Sequence, residues 1–479
     1  MKYTPAPTFP SLGEGFSDAA EAARFPQHVL RFRNQRWAER VGLGALDDVA
    51  WEQHFARFEP LADNLPRPLA LRYHGHQFDV YNPAIGDGRG FLFAQLRDDE
   101  GRLLDLATKG SGTTRWSRGG DGRLTLKGGV REVLATEMLE ALGVYTSKSF
   151  SLFETGESLM RGDEPSPTRS SVLVRLGHSH VRIGTFQRLS QERDETRLRA
   201  LLDYSVEHYA GADAELARAE DRPAAFLRVV TERSAALCAS WMVAGFVHGV
   251  LNSDNMNITG ESFDYGPYRF LPTYDPEFTA AYFDHAGLYA FAQQPRAVFR
   301  NLGRLADCLR ALSPAAPFGE LLRAFEPALR QGVQTKLLAR LGLSSQGHDT
   351  DMALVDAVFA FLEASRVGYA RFFFDWYGGF ASERRAVESP ACDSYRGEKF
   401  RALLALFELY VPRDASRLAH PYFQRTEPCD LLVDEIEAIW SRIAHVDDWS
   451  PFDAKIVAIR EMGDALGQRR RQTLASHGC

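Results

Sequence analysis

Cysteine is scarce and scattered in this chain. The five cysteines among 479 residues, Cys238, Cys308, Cys392, Cys429 and Cys479, form no CxxC pair and are odd in number. That pattern argues against a disulfide framework or a zinc ribbon and predicts a reducing, cytoplasmic setting, with Cys479 as a free thiol on the tail. Long apolar runs are missing too. The most apolar stretch, Ala235–Val247, is only 13 residues and contains Ser240. A bilayer crossing needs about 20, so this stretch reads as a buried core helix. Met1–Pro10 lacks the basic and apolar regions of a secretory signal. There is no excess of positive charge: 56 Lys and Arg stand against 63 Asp and Glu, for a net charge of −7. A nucleic-acid partner would leave a basic footprint, and neither it nor a membrane partner is expected. Internal repeats and low-complexity segments are absent. What remains, 45% hydrophobic and 25% charged residues, is the composition of a large globular protein of two or three domains, or of two lobes.

The texture changes along the chain. Residues 1–64 mix short helical patterns with irregular, proline-containing segments. From Leu69 to Leu106 short apolar runs are broken by turn residues, and Phe91–Leu96 and Leu103–Thr108 predict a hairpin across Asp98-Asp99-Glu100-Gly101. Val130, Val133, Leu134, Met138, Ala141 and Leu142 predict a helix over 129–142, with Glu137 on its apolar face. Ser171–Leu176 and Val181–Phe186 read as strands. Beyond about Gln191 the pattern is helical, with helices expected at Leu198–Tyr209, Phe226–Val247, Leu354–Tyr377 and Asp430–Ile443. The order predicts an α+β, protein-kinase-like two-lobed fold, with a β-rich N-lobe and a large helical C-lobe. The expected divisions are an N-terminal extension (1–64), an N-lobe (65–190) and a C-lobe (191–479).

Inside the helical part, His248-Gly249-Val250-Leu251-Asn252-Ser253-Asp254-Asn255 interrupts the pattern, and Asp264-Tyr265-Gly266 follows. Kinases carry H-R-D-x-x-x-x-N and then D-F-G. The spacing of seven from His248 to Asn255 is kept. The position of the loop aspartate holds Val250, which cannot accept a proton. Either the site is dead or it performs different chemistry on the same kind of nucleotide. Asn255 and Asp264 are hard oxygen donors suited to Mg²⁺ or Mn²⁺. Asp254 is the nearest carboxylate able to replace the missing base, unless it only caps the hairpin predicted over Asn257–Phe263.

Other residues fit a phosphate site. Gly86-Asp87-Gly88-Arg89-Gly90 is a donor-rich turn ahead of a strand, able to cradle phosphate or to serve as a plain hairpin turn. Lys109, at a strand end, is expected to pair with Glu137; the alternative is a surface lysine, with Glu137 on another face of its helix. Arg115, Arg118, Asp121 and Arg123 sit in or beside the glycine-rich segment Lys109–Gly122, too elaborate for a simple connector although a solvated loop would also fit. Arg175 and Arg182 fall within apolar strand patterns, where guanidinium groups suit an anion or a sheet salt bridge. His74 and His76 have no further ligands at matching spacing, so a polar or core role is expected of them rather than a metal.

Several segments together resemble the selenoprotein O family (SelO, also called YdiU). They are His74-Gly75-His76-Gln77-Phe78, Lys109-Gly110-Ser111-Gly112, Ser117-Arg118-Gly119-Gly120-Asp121-Gly122-Arg123, Arg131-Glu132, the stretch His248–Met256, and Asp264-Tyr265-Gly266-Pro267-Tyr268. The resemblance runs from about residue 60 to at least 300. It implies a pseudokinase fold that moves AMP from ATP to Ser, Thr or Tyr hydroxyls of proteins, with ATP flipped relative to kinases. It further implies that Gly86, Gly88, Arg89, Lys109, Asp121, Gly122, Arg175 and Arg182 contact nucleotide and that Glu137 pairs with Lys109. Asp254 would be the base, and Asn255 and Asp264 would hold the metal. A uridylyltransferase using UTP and Mn²⁺, a phosphotransferase and a non-catalytic nucleotide-binding scaffold are the alternatives. Leu126-Lys127-Gly128-Gly129 departs from the family in being glycine-rich. No cysteine lies between Asp264 and Phe291, so no disulfide from that segment to Cys479 is expected.

Overall fold

The computed structural model describes residues 1–209, 216 and 218–468; Cys479 lies outside the described residues. Among the described residues twelve strands fall in three sheets, and helices fill most of the sequence after residue 183. The large sheet is antiparallel, with β1 (Ser17–Ala19), β2 (Val29–Arg33), β3 (Leu69–Leu71), β6 (Leu92–Arg97), β7 (Leu103–Lys109), β9 (Lys148–Leu159) and β10 (Thr168–Gly177) in the order β1-β3-β6-β7-β10-β9-β2. The short β8 (Leu124–Thr125) pairs with β10. A separate hairpin, β4 (Gly75–Gln77) and β5 (Val80–Asn82), stands off this sheet. Both edges of the sheet come from the first 64 residues: β1 pairs with β3, and β2 pairs with β9.

Side-chain alternation explains how the sheet is covered. Phe91, Phe93, Val172 and Val174 point to one face, where Trp37 of α1 (Gln35–Arg40) and Trp51 and Phe55 of α2 (Asp48–Phe55) join them. Trp51 stacks on Phe150 with ring centroids 5.1 Å apart. Leu92, Leu152 and Leu173 point to the other face, against Val130, Val133 and Leu134 of α3 (Leu126–Ala141). The expected hairpin is present as β6–β7.

The helix α3 begins three residues earlier than the apolar pattern suggests, because Thr125 Oγ1 accepts from Gly128 N and caps it. Gly129 is there for space: a Cβ on it would lie 2.5 Å from Leu152 Cδ1. The segment expected to be a strand at 181–186 is instead the entry into helix α4 (Ile183–Gln191), which precedes α5 (Glu195–Tyr209). A six-residue apolar run does not distinguish a buried strand from a buried helix. The 354–377 stretch is two helices, His348–Ser365 and Tyr369–Asp375. Arg366 takes a left-handed φ of 54° between them, and Tyr369 N bonds to Pro272 O.

The helix Arg222–Ala244 runs through the core of the helical part, and Gly332 lets the helix Phe325–Leu341 approach its Ala239 closely. It ends at Gly245, φ 67°, a left-handed cap that turns the chain into β11 (Phe246–Val247). β11 pairs with β12 (Arg269–Phe270), so the chain leaves and returns to one point, carrying His248–Tyr268 between. The small hairpin expected within 257–263 does not form. Asn257 bridges to Arg182 and Ser262 bridges to Thr146, so the two halves bond to different parts of the molecule. Among the described residues no helix is long and apolar enough to cross a membrane.

Candidate functional site

A cleft of about 670 Å³ lies where the open end of the sheet meets the His248–Tyr268 segment. Gly86, Gly88, Arg89, Lys109, Asp121, Gly122, Arg175, Arg182, Asp254, Asn255 and Asp264 all line it; Glu137 does not. Seven cationic side chains line it, against four carboxylates. Its floor carries the three deepest charges. Lys109 is 5% exposed, Arg175 6% and Arg182 4%.

Lys109 does not pair with Glu137. Its ammonium donates to Glu132 Oε2 at 2.6 Å and lies 2.7 Å from Asp264 Oδ1. Glu137 is bound by Arg460 at 2.8 and 2.9 Å and by Asn34 Nδ2 at 3.3 Å. Five residues separate the two glutamates, about 140° around a helix, so they cannot serve the same partner. Helix α3 is buried on nearly every side, and its apolar pattern therefore marks no single face. The signal that could have found Glu132 is its place in the Arg131-Glu132 segment. Arg131 in turn braces the segment after Asp264, donating to Gly266 O and Tyr268 O.

Asp264 is held in a left-handed conformation, φ 65°. Its Oδ1 accepts from Arg175 Nη1 at 3.1 Å as well as from Lys109. Burial pushes its pKa up, but Lys109 and Arg175 outweigh that and hold it well below the usual carboxylate range. Asn255 donates its amide to Val250 O at 3.0 Å, which commits the nitrogen and leaves the side-chain oxygen as a free donor atom for a cation. No group of three or more His, Cys, Asp or Glu side chains suited to a metal occurs among the described residues. Two hard oxygens with phosphate and water as remaining ligands is the usual way Mg²⁺ is held, so the pair fits such an ion.

Asp254 is nearly buried, and its Oδ1 has no hydrogen-bond partner within the protein. Burial pushes its pKa up to about 6, against the pull of Arg182. Arg182 lies over the Tyr73 ring at 4.1 Å and donates weakly to Asp254 O and Asp87 Oδ1, both at 3.4 Å. The Nε groups of Arg175 and Arg182 are buried without partners. Buried guanidinium groups with donors to spare suit an anion of several oxygens. Asp87 is a partner of Arg182 that sequence reading did not assign, although it sits in the named glycine loop.

The glycine loop is shaped by a second loop. A Cβ on Gly86 would lie 2.6 Å from the Trp116 ring, and one on Gly88 would lie 2.8 Å from Trp116 O. Gly122, φ 68°, abuts Gly112 with no room for a side chain. Asp121 is fixed by Arg161 at 2.8 and 3.1 Å, and Arg123 by Glu157. The 113–123 segment thus folds back over the turn and adds Arg118 and Arg123 to the cleft wall, and Arg161, just after β9, joins them.

A deep cationic cleft with a buried Lys–Glu pair, two hard side-chain oxygens and a buried carboxylate with one unbonded oxygen suits a polyphosphate. The profile of the family described as protein adenylyltransferase SelO matches residues 1–460. A protein of Gloeobacter violaceus described as protein nucleotidyltransferase YdiU is 46% identical over 477 residues, covering 96% of this chain and 95% of its own. Proteins of the same description from Synechocystis and Trichormus variabilis are 44% identical (95% of this chain, 97% of the relative) and 42% identical (97% and 96%). The chain belongs to the SelO family of nucleotidyltransferases.

Proposed function

We propose that this protein transfers AMP from ATP to Ser, Thr or Tyr hydroxyls of protein substrates, in a kinase-like arrangement of two lobes with the nucleotide flipped. Residues 1–64 would be an extension completing the N-lobe sheet, 65–190 the rest of that lobe, and 191–479 the C-lobe. The observation that carries the reading is the exchange of base: Val250 replaces the loop aspartate, while Asp254, four residues on, borders the cleft beside Asn255 and Asp264.

In this reading Lys109, Arg175 and Arg182 surround the β- and γ-phosphates, and Arg89, Gly86, Gly88, Asp121 and Gly122 complete the nucleotide's surroundings. The acceptor oxygen attacks the α-phosphorus. A new O–P bond forms while the bond to the α,β-bridging oxygen breaks, and pyrophosphate leaves with that electron pair. The hydroxyl proton passes to Asp254, whose burial-raised pKa suits a base near neutral pH. Fixed positive charge on the leaving pyrophosphate is the electrostatic contribution. Asn255 and Asp264 would hold Mg²⁺ or Mn²⁺, which when bound neutralises phosphate charge.

Labelled ATP tests the reading. Label at the α-phosphate is expected on protein, with an added mass of AMP, and label at the γ-phosphate is expected only in pyrophosphate. Transfer of γ-label would establish a phosphotransferase. Tight binding with neither label transferred would establish a scaffold. Val250→Asp is expected not to yield γ-transfer, because the phosphorus facing the acceptor would be unchanged.

A further inference from the structure

The hairpin β4–β5 leaves the sheet and grips the loop that carries Asp254. Three consecutive loop residues meet it. Asn252 Oδ1 accepts from Phe78 N at 3.1 Å, Ser253 Oγ accepts from His76 N at 2.7 Å, and Asp254 Oδ2 faces Gln77 Nε2 at 3.5 Å. Gln187 of α4 closes a ring around Ser253. Its Oε1 accepts from the Ser253 hydroxyl, and its Nε2 meets His76 Nδ1 at 2.7 Å.

The orientation of the Gln187 amide sets the direction of this ring. An amide nitrogen only donates, so His76 Nδ1 accepts and the imidazole is neutral. Ser253 is fully buried and Gln187 is 5% exposed, so no water competes freely for these bonds. With Nδ1 committed to Gln187, His76 does not offer that nitrogen to a metal.

The tip of the hairpin is costly to hold. Phe78 and Asp79 have φ of 48° and 63°, a region that L side chains rarely adopt. The Phe78 ring packs on Tyr289 at 5.0 Å, and Asp79 pairs with Arg304 at 2.6 Å, which offsets that cost. Behind Asp254 there is no slack, since a Cβ on Gly75 would lie 2.8 Å from its Oδ1.

We propose that Gln187 is a positioning residue for Asp254, acting through Ser253 and His76. This rests on the reading of Asp254 as the base. Gln187 does not line the cleft, so its loss should change the rate of transfer and not nucleotide binding.

The test uses the full chain with Gln187→Leu, Gln187→Glu and Ser253→Ala. Transfer of α-label from ATP to the chain itself is measured beside the affinity for a fluorescent ATP analogue and the hydrogen exchange of residues 252–255. Gln187→Leu is expected to lower the maximal rate about tenfold or more, since small misplacement of a reacting group is costly, with affinity kept within about twofold. Ser253→Ala removes the same ring by a smaller change and should behave alike if the leucine variant misfolds. Gln187→Glu keeps an acceptor for Ser253 and should recover part of the rate. The double variant should lose little more than either single one, as groups acting as a unit do. Equal falls in rate and affinity, additive losses, or a wild-type rate in Gln187→Leu would overturn the proposal. A wild-type chain that transfers no label would count against the proposed function instead. Exchange then decides: unaltered protection at 252–255 in Gln187→Leu overturns the positioning role, and faster exchange supports it.

Discussion

Lys109 and Glu132, 23 residues apart in the chain, meet at 2.6 Å, and both are nearly fully buried. Their contact ties β7 to α3 and leaves the lysine within reach of Asp264 at 2.7 Å. Glu132 also lies 3.4 Å from Arg175, so one carboxylate steadies two of the three deep cations of the cleft.

Glu132 and Glu137 should therefore fail differently. Glu132→Gln is expected to cut transfer at least about tenfold, because Lys109 and Arg175 lose the charge that orients them. Glu137→Ala is expected to cost about 1–3 kcal/mol of stability. That is less than the ~3–5 kcal/mol of a fully buried broken pair, because Arg460 keeps 28% exposure. Rate assays and thermal unfolding of the two variants separate these outcomes. The reverse assignment would return Lys109 to Glu137.

Asp254→Asn keeps the shape of the side chain and removes its basicity. A loss of about 10²–10⁴ in the rate of transfer is expected, with ATP affinity nearly unchanged. If affinity collapses instead, Asp254 belongs to the nucleotide's binding shell.

Asp264→Asn should abolish the dependence of nucleotide binding on divalent cation. It also frees Lys109 and Arg175 from a carboxylate. Some cation-independent affinity for ATP should therefore remain, read by titration with and without EDTA. Unchanged stimulation by Mg²⁺ or Mn²⁺ would show that the ion is held elsewhere.

Glu261 gives a pH signature away from the cleft. Burial pushes its pKa up from 4.5 to about 7, with Lys148 opposing. A carboxyl whose folded pKa is raised supports the fold fully below its unfolded pKa and loses that contribution as pH rises through the folded value. Wild-type stability should carry a falling component between about pH 4.5 and 7. Glu261→Gln should remove it, so the variant compares more favourably with wild type at pH 8 than at pH 5 in urea melts.

Gly129→Ala would ordinarily strengthen a helix by about 1 kcal/mol. Here the new Cβ would meet Leu152 Cδ1 at 2.5 Å and Ser171 Oγ at 2.8 Å. Overpacking costs about 1–3 kcal/mol, so net destabilisation is expected, visible as a lower Tm. An unchanged or raised Tm would mean that α3 shifts freely against the sheet.

Much of this was legible in residue order. The β6–β7 hairpin, the helix near 129–142 and the break in the helical pattern at His248–Asn255 follow from local periodicity and turn chemistry. The cleft-lining residues could be named from their types: glycines at a tight turn, cations in apolar runs, hard side-chain oxygens at fixed spacing. Several readings failed where the signal is not local. Val181–Phe186 was an ambiguous apolar run that tertiary burial resolved as the start of a helix. The 257–263 hairpin lost to backbone bonds with Arg182 and Thr146, partners far off in sequence. Glu137 shared an all-round buried helix with Glu132, and only the packing of α3 between sheet and Arg460 decided which carboxylate met Lys109.

The sequence by itself determined which chemical groups are available: a valine where a base would stand, an aspartate four residues later, and cations enough for a polyphosphate. Tertiary structure decided which of those groups face one another. Side-chain identity is local, whereas pairing depends on distances between elements whose packing no short window of sequence contains.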